Sequence, residues 1–100
     1  MLTIGLTHAF LASAATDLPP VRYNCDRGGA VIATFRNEPT GLGSVALYFL
    51  RSGEGVVLPQ GLSADGGRYA AGSLQFWAKG NGATLTRAGV SSTCQAVPAG

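Results

Sequence analysis

The run Ser73–Lys79, SLQFWAK, decides the fold because its side chains alternate between two faces. One face carries Leu74, Phe76 and Ala78, and the other carries Gln75, Trp77 and Lys79. Successive side chains of a strand point to opposite sides of a sheet, so this period of two predicts a β-strand whose apolar face lies in the core. Trp77 and Lys79 are then predicted to lie together on the outer face. The pattern leaves open a second arrangement, in which Trp77 packs under a neighbouring loop and Lys79 is merely solvated.

Similar runs extend from this segment along the chain. Val31–Arg36 places Val31, Ala33 and Phe35 on one face, and Val45–Arg51 is apolar on both faces. Short turn signals rich in Gly, Asn and Asp punctuate the chain, namely Asp26–Gly29, Asn37–Gly41, Ser52–Gly55, Ala64–Gly67, Ala71–Gly72 and Gly80–Gly82. No window sustains the spacing of an amphipathic helix. Short strands at this spacing predict an all-β fold, either an antiparallel sandwich or a barrel.

The composition indicates one folded domain and excludes several classes of protein. The chain has 100 residues, of which 46% are hydrophobic and 12% charged, so a packed core is expected. The formal net charge of +2 is too small to indicate nucleic-acid binding, and adjacent basic and aromatic residues are common in strands. No apolar run reaches the roughly 18 residues that a membrane-spanning helix needs.

The first fifteen residues resemble a secretory leader rather than part of the domain. Met1–Ala15 has no acidic or basic side chain except His8, and Ala12-Ser13-Ala14 has the small-x-small pattern of a cleavage site. We therefore expect residues 1–15 to form the leader and residues 16–100 the domain, with cleavage near Ala14 or Ala15. No cysteine follows the apolar stretch to carry a lipid anchor, so a soluble periplasmic or secreted protein is expected. An apolar first helix or strand is the alternative.

Cys25 and Cys94 are the only cysteines, and they lie near the two ends of the predicted domain. An exported chain with two cysteines favours a disulfide, while two buried free thiols remain the alternative. A zinc site is not expected, because two cysteines without a histidine in the domain cannot complete a tetrahedral shell.

An enzymatic function is not indicated. Removal of the leader removes His8, the only histidine, and no nucleophile, zinc-protease or phosphate-binding motif occurs. The five carboxylates, Asp17, Asp26, Glu38, Glu54 and Asp65, all lie in or beside turn signals or the leader junction. The sequence therefore predicts a binding protein without a cofactor or metal.

The segment Ser63–Gly80, SADGGRYAAGSLQFWAKG, resembles the bacterial inhibitors of C-type lysozyme. That family carries a loop of the form SxSGxRY, which Ser63, Gly66, Arg68 and Tyr69 match. A strand ending in FWxKG and a following AxL come next, matched by Phe76, Trp77, Lys79 and Gly80 and by Ala83 and Leu85. Upstream, Tyr23-Asn24-Cys25-Asp26 is similar to the family's opening, and Cys94 falls where its closing cysteine lies. The resemblance covers about Tyr23 to Cys94.

The resemblance implies an eight-stranded antiparallel β-barrel, closed by a Cys25–Cys94 disulfide, that binds a C-type lysozyme. In the family, a serine of the first motif and the lysine of the second enter the lysozyme cleft and contact its catalytic carboxylates. The implied lysozyme-binding residues are Ser63, Asp65, Gly66, Arg68, Tyr69, Trp77 and Lys79.

One departure from the family pattern affects the mechanism. Asp65 stands where the family has its second serine, and a carboxylate facing two carboxylates is repulsive unless one is protonated or Asp65 pairs with Arg68. Ser63 is the alternative source of the hydroxyl contact. A different function also remains open, that of an exported barrel that binds a cell-wall glycan or serves the envelope structurally, with Trp77 and Tyr69 as stacking platforms.

Overall fold

The computed structural model describes residues 15–98, in which every regular element is a β-strand. The predicted leader, apart from Ala15, lies outside the described residues. The strands are β1 (Thr16–Asp17), β2 (Val21–Cys25), β3 (Gly29–Asn37), β4 (Ser44–Phe49), β5 (Glu54–Gly61), β6 (Gly67–Ala71), β7 (Leu74–Lys79), β8 (Gly82–Arg87) and β9 (Val90–Ala96). The described residues include no helix long and apolar enough to cross a membrane.

Strands β2 to β9 form a closed antiparallel barrel. Each strand pairs with the next one along the chain, from β2–β3 to β8–β9. The ring closes where β9 pairs with β2, with Tyr23 opposite Ala96 and Cys25 opposite Cys94. Closure leaves no open sheet edge among the eight strands. The predicted all-β fold and the eight-stranded barrel are confirmed.

The short strand β1 continues the line of β2 along β3. Thr16 lies opposite Asn37, and Val21 lies opposite Ala33 further along the same strand. Between them stand Pro19 and Pro20, which have no backbone N–H to donate and therefore interrupt the pairing.

The barrel interior is filled by the apolar faces that the sequence predicts. Phe76 is fully buried, and Leu74 and Ala78 pack against the same core, so the predicted inner face of β7 is confirmed. The Tyr23 ring meets the Phe76 ring edge to face, with their centroids 5.2 Å apart. Phe35 packs on Phe76 from β3. The core therefore joins strands that are distant in sequence.

The disulfide Cys25–Cys94 links the two strands at which the barrel closes. The predicted bridge is confirmed, and the alternative of two free thiols is wrong. Cys94 is fully buried and Cys25 is partly buried, so the bridge packs against the core.

The up-and-down topology gives the barrel two different ends. One end is called the turn end, and its tight connections are residues 26–28, 50–53, 72–73 and 88–89. At the other, the loop end, the connections are residues 38–43, 62–66 and 80–81. The motif residues around Ser63 and Lys79 all belong to the loop end.

Reduction of the Cys25–Cys94 bridge should destabilise the barrel strongly. The bridge closes a loop with a sequence separation of 69, for which the chain-entropy model gives about 4 kcal/mol. In a domain of this size such a loss lowers the melting temperature by more than about 15 °C. Circular dichroism melts with and without a phosphine reductant measure the difference, with alkylation and mass spectrometry verifying the two thiols. A double Cys25→Ala, Cys94→Ala variant is the control and should not respond to the reductant; an unchanged melt of verified reduced protein contradicts the prediction.

Candidate functional site

The loop between β5 and β6, residues 62–66, forms the centre of the candidate site and is called the site loop here. It stands beside the end of β7, because β6 and β7 form a hairpin in which Gly67 lies opposite Ala78 and Arg68 opposite Trp77. Trp77 and Lys79 point outward from this part of β7. Their predicted position on the outer face is confirmed, and Trp77, which is 37% exposed, also contacts the neighbouring site loop, as the alternative arrangement had it.

Hydrogen bonds to one carbonyl group hold the site loop in place. The Ser63 hydroxyl donates to the Asp65 carbonyl oxygen over 2.7 Å, and the Asp65 amide lies 3.3 Å from the same hydroxyl oxygen. The Trp77 indole Nε1 donates to that carbonyl from the neighbouring strand over 2.8 Å. The loop backbone is thus tied both to itself and to the barrel wall, so its tip is preformed.

An ion pair joins the loop to the end of β7. The Lys79 Nζ lies 2.6 Å from Asp65 Oδ2, with both side chains more than 60% exposed. The hydrogen bond from Lys79 to Asp65, together with the attraction of the carboxylate charge, raises the pKa of the lysine ammonium. Lys79 is therefore cationic at neutral pH, while water remains free to compete for both partners.

The pairing of Asp65 with Arg68 that the sequence left open is wrong. Arg68 instead donates from Nη1 to Gln75 Oε1 over 3.3 Å, across the β6–β7 hairpin. Its guanidinium also lies close to the backbone of Gly61, where a Cβ would be 3.0 Å from Nη2. Arg68 therefore braces the base of the site loop from the barrel wall.

Gly66 is required by its backbone conformation and by its neighbours. Its φ of +69° lies in the left-handed region that favours glycine. A Cβ at this position would collide with the carbonyl oxygen of Ala78 on β7. The glycine of the predicted motif therefore permits the close contact between loop and strand.

Tyr69 is placed inside the barrel. It is 8% exposed, its ring centroid lies 5.6 Å from that of Phe35, and burial raises the pKa of its hydroxyl group. The hydroxyl lies beneath Gly67, at 2.9 Å from where a Cβ would stand. Tyr69 thus supports the loop from inside the barrel. A glycan-binding barrel would use Tyr69 and Trp77 as stacking platforms, and of these two rings only Trp77 faces outward.

A shallow depression of about 360 Å³ adjoins the ion pair. Asp65, Trp77 and Lys79 form one side, and the outer faces of β8 and β9 form the other through Thr84, Thr93 and Gln95. Within residues 15–98, no group of three or more His, Cys, Asp or Glu side chains could hold a metal ion. The surface can offer hydrogen bonds, one cation and one aromatic edge to a partner.

Leu62 is a site residue that the sequence analysis missed. It is 82% exposed at the start of the site loop, and Leu42 is 46% exposed in the neighbouring loop. The two loops are connected, because the Gly43 amide donates to Gln60 Oε1 and the Gln60 amide donates to the Gly43 carbonyl, each over 2.9 Å. An exposed leucine directly before the first motif was the available signal. These leucines extend the site with apolar surface of the kind that partner proteins cover.

Comparisons with known proteins agree with one another. The model of the family described as membrane-bound lysozyme-inhibitor of c-type lysozyme matches residues 23–93. A Cupriavidus necator protein named membrane-bound lysozyme inhibitor of C-type lysozyme is 34% identical over 89 residues, covering 82% of this chain and 69% of that protein. A Pseudomonas aeruginosa protein of the same name is 32% identical over 77 residues, covering 77% of this chain and 59% of that one. This chain thus spans less than two thirds of the second relative.

A solved structure is similar over almost the whole barrel. The chain superposes on Pseudomonas aeruginosa MliC, from its crystal structure in complex with hen egg white lysozyme, with a TM-score of 0.70 and 25% sequence identity. The match covers 85% of this chain and 86% of that one.

Alanine at Gly66 should disturb the site loop more than alanine at Gly72 disturbs its turn. Both glycines have positive φ, but a Cβ at Gly72 meets nothing within 4 Å, whereas one at Gly66 meets the β7 backbone. Gly72→Ala should cost about 1 kcal/mol of stability and Gly66→Ala about 2 kcal/mol or more. Trp77 is the only tryptophan, so its emission should shift in Gly66→Ala alone. Equal melting temperatures and identical emission spectra in the two variants would count against this account.

Proposed function

The chain belongs to the family of membrane-bound inhibitors of C-type lysozyme, and on that premise we propose that it inhibits such a lysozyme by inserting the site loop and Lys79 into the active-site cleft. The observation that carries the proposal is the preformed tip, in which Ser63, Asp65 and Trp77 are joined by hydrogen bonds beside an exposed lysine. A loop that is already ordered loses little conformational entropy on binding. The protein acts as a binding partner and carries out no reaction of its own.

The chemistry of the lysozyme cleft suits a lysine ammonium. Two carboxylates flank the bond that a lysozyme cleaves, one of them with a pKa raised to about 6 and the other ionised. Lys79 offers three N–H donors and a full positive charge, and it projects from the end of a strand rather than from a mobile loop. Occupation of both carboxylates by this ammonium group would block substrate and remove the catalytic acid.

Asp65 competes with lysozyme for Lys79. The lysine is paired internally in the free protein, so insertion exchanges one carboxylate partner for another. Because the pair is solvent-exposed, this exchange is inexpensive, but it leaves the Asp65 carboxylate near the carboxylates of the cleft. Asp65 therefore holds Lys79 in position before binding and opposes it afterwards.

Ser63 has an organising role in this proposal. Its hydroxyl proton is used inside the loop, on the Asp65 carbonyl, which leaves oxygen lone pairs rather than a donor for lysozyme. To donate to a cleft carboxylate, the hydroxyl must rotate away from that carbonyl. We therefore assign the main electrostatic contact to Lys79, with Gly66, Arg68 and Tyr69 as supports of the loop.

Exposed apolar side chains would surround the inserted tip. Leu62 begins the site loop, Leu42 lies in the neighbouring loop, and the ring of Trp77 is 37% exposed beside them. Such residues exclude water from a central charged contact and so strengthen it. This arrangement supplies affinity through the contact itself, because a formal net charge of +2 gives this chain little long-range attraction for a partner.

The proposed activity requires export. Lysozyme attacks the cell wall from outside the cytoplasm, and the leader-like residues 1–15 together with the Cys25–Cys94 disulfide are the features of this chain that suit an oxidising compartment. We place the barrel in the periplasm or outside the cell on these grounds.

Truncation of Lys79 should abolish most of the inhibition without affecting the fold. Lys79→Ala removes an exposed side chain, so its melting temperature should stay within about 2 °C of that of the wild type. Its affinity for hen egg white lysozyme should fall at least about 30-fold, because a carboxylate in the closed cleft loses its partner. Lys79→Arg should recover only part of the affinity, since the planar guanidinium differs in shape from an ammonium group. Thermal melts followed by circular dichroism give the melting temperature, calorimetric titration gives the affinity, and a turbidity assay of cell-wall lysis gives the inhibition.

Arg51→Ala is the charge-matched control for the lysine variant. It removes one cation at the turn end of the barrel, far from the site loop, and should leave inhibition unchanged. Inhibition that survives in a Lys79→Ala, Ser63→Ala double variant would remove the insertion mechanism. A wild-type protein that slows no C-type lysozyme at micromolar concentration would remove the inhibitor proposal altogether.

Neutralising Asp65 should strengthen inhibition. Asp65→Ser restores the family's residue and Asp65→Asn keeps the side-chain size, while the backbone carbonyl that binds Ser63 and Trp77 is retained in both. Each variant frees Lys79 and removes a repulsive charge, so affinity should rise about threefold or more.

The pH dependence of the affinity distinguishes a complex in which Lys79 faces the lysozyme carboxylates from one in which Asp65 faces them. If Lys79 meets the lysozyme carboxylates, wild-type affinity should fall as pH decreases from 7 to 5, because the catalytic acid with a pKa of about 6 becomes neutral. If Asp65 itself faced that acid, protonation would convert repulsion into a hydrogen bond, and affinity would rise over the same range. Calorimetric titrations at pH 5, 6 and 7 with wild type and Asp65→Asn distinguish the two signs.

A further inference from the structure

A second pocket opens at the turn end of the barrel, on the far side from the site loop. Its volume is about 430 Å³, within the range of small-molecule sites. Phe49 and Leu85, each 8% exposed, form its apolar floor. Arg27, Arg51 and Arg87 line it together with the exposed side chain of Val90. We call this feature the arginine pocket.

The fold, not the sequence order, brings these arginines together. Arg27 lies in the turn between β2 and β3, Arg51 in the turn between β4 and β5, and Arg87 at the end of β8. The up-and-down topology returns all three segments to the same end of the barrel. Three of the seven basic residues of the chain thus surround one apolar concavity.

Packing, rather than salt bridges, positions the guanidinium groups of Arg51 and Arg87. The Arg87 guanidinium carbon stands 4.4 Å from the centre of the Phe49 ring, a cation–π contact. The Arg51 guanidinium lies against Gly29, where a Cβ would be 3.3 Å from Nη2. Within residues 15–98, the salt bridges involve Arg36 and Lys79 and none of these three arginines.

The carboxylate beside Arg27 is already engaged. Asp26 Oδ1 accepts hydrogen bonds from the Ser92 hydroxyl over 2.7 Å and from the Thr93 amide over 3.0 Å. Those bonds, the Ser92 bond foremost, lower the pKa of Asp26, and the nearby charge of Arg27 lowers it further. The arginine side chains therefore retain free N–H donors over an apolar floor.

We propose that the arginine pocket binds an amphiphilic anion, a phosphate or carboxylate group carried on an apolar chain. The guanidinium groups match the oxygens of such a head group with paired N–H donors, and Phe49 and Leu85 accommodate the chain. A purely inorganic anion leaves the apolar floor unused, and a neutral amphiphile leaves the donors unpaired. The ligand can be a lipid head group with its adjoining chain or a free amphiphile, which share this chemistry.

This site is independent of lysozyme inhibition. Its residues belong to the turn end, so occupation of the pocket leaves Lys79 and the site loop accessible. Failure of one proposal therefore has no bearing on the other.

Octyl phosphate below its micelle concentration is the direct probe. In calorimetric titrations of the intact domain, octyl phosphate should bind at least about tenfold more tightly than either of two comparison ligands. Inorganic phosphate carries the charge without the chain, and octyl glucoside carries the chain without the charge. Arg27→Gln should weaken octyl phosphate at least about fivefold, since it removes a cation whose side chain is not packed on the core. Arg22→Gln, which removes an exposed arginine outside the pocket, is the matched control and should bind as the wild type does.

Arg87→Gln is the second variant, and its circular dichroism melt reports whether it is folded. A folded Arg87→Gln protein should also lose octyl phosphate binding. Equal affinity for octyl glucoside, or unchanged octyl phosphate binding in both arginine variants, would overturn the proposal. The source is a lipid head group if the protein cosediments with phosphatidylglycerol vesicles but not with phosphatidylcholine vesicles, and if Arg27→Gln abolishes this cosedimentation. Octyl phosphate binding without such cosedimentation identifies a free amphiphile.

Discussion

The pairing of β9 with β2 is the constraint on which the rest of the structure depends. Without it the eight strands would be an open sheet with two exposed edges, and neither the core nor the two ends would exist. The Cys25–Cys94 bridge lies at this junction and limits the freedom of the unfolded chain. A domain this small has a modest core, so a covalent link at the closing strands contributes a large share of its stability.

Closure also determines which chemistry each end can present. At the loop end, the Asp65 side chain pairs with Lys79, and the Asp65 carbonyl accepts a hydrogen bond from the indole of Trp77. These two contacts give a preformed tip. At the turn end, short connections bring three arginines to the rim of one pocket. One of them, Arg87, makes a cation–π contact with Phe49. The same barrel therefore carries one exposed lysine that is paired with a carboxylate and three exposed arginines that form no salt bridge within residues 15–98.

The sequence predicted what depends on local periodicity and missed what depends on pairing between strands. The alternation in β7 placed Phe76 inside and Trp77 outside correctly, because a period of two is a property of one strand. The Asp65–Lys79 pair follows from the β6–β7 hairpin register, in which Gly67 meets Ala78, and no local pattern reports that register. Because Tyr69 belongs to the lysozyme-binding motif, it was predicted to lie at the surface with the other motif residues. It directly follows Arg68 in β6, however, so its side chain must point to the opposite face of the sheet. The arginine pocket combines three hairpins and has no sequence signature.

The two ends are expected to act without influencing each other. Leu74, which pairs with Arg87, and Lys79 stand at opposite ends of β7, five residues and roughly 17 Å apart. Screening at physiological salt reduces electrostatic effects beyond about 8 Å, so a head group in the arginine pocket changes the field at Lys79 very little. Mechanical coupling would have to pass through β7, whose backbone is paired on both sides to β6 and β8 and whose inner face holds the buried Phe76. Because a closed, well-packed barrel resists such deformation, the inhibitor can occupy its turn end with one ligand while its loop end meets lysozyme.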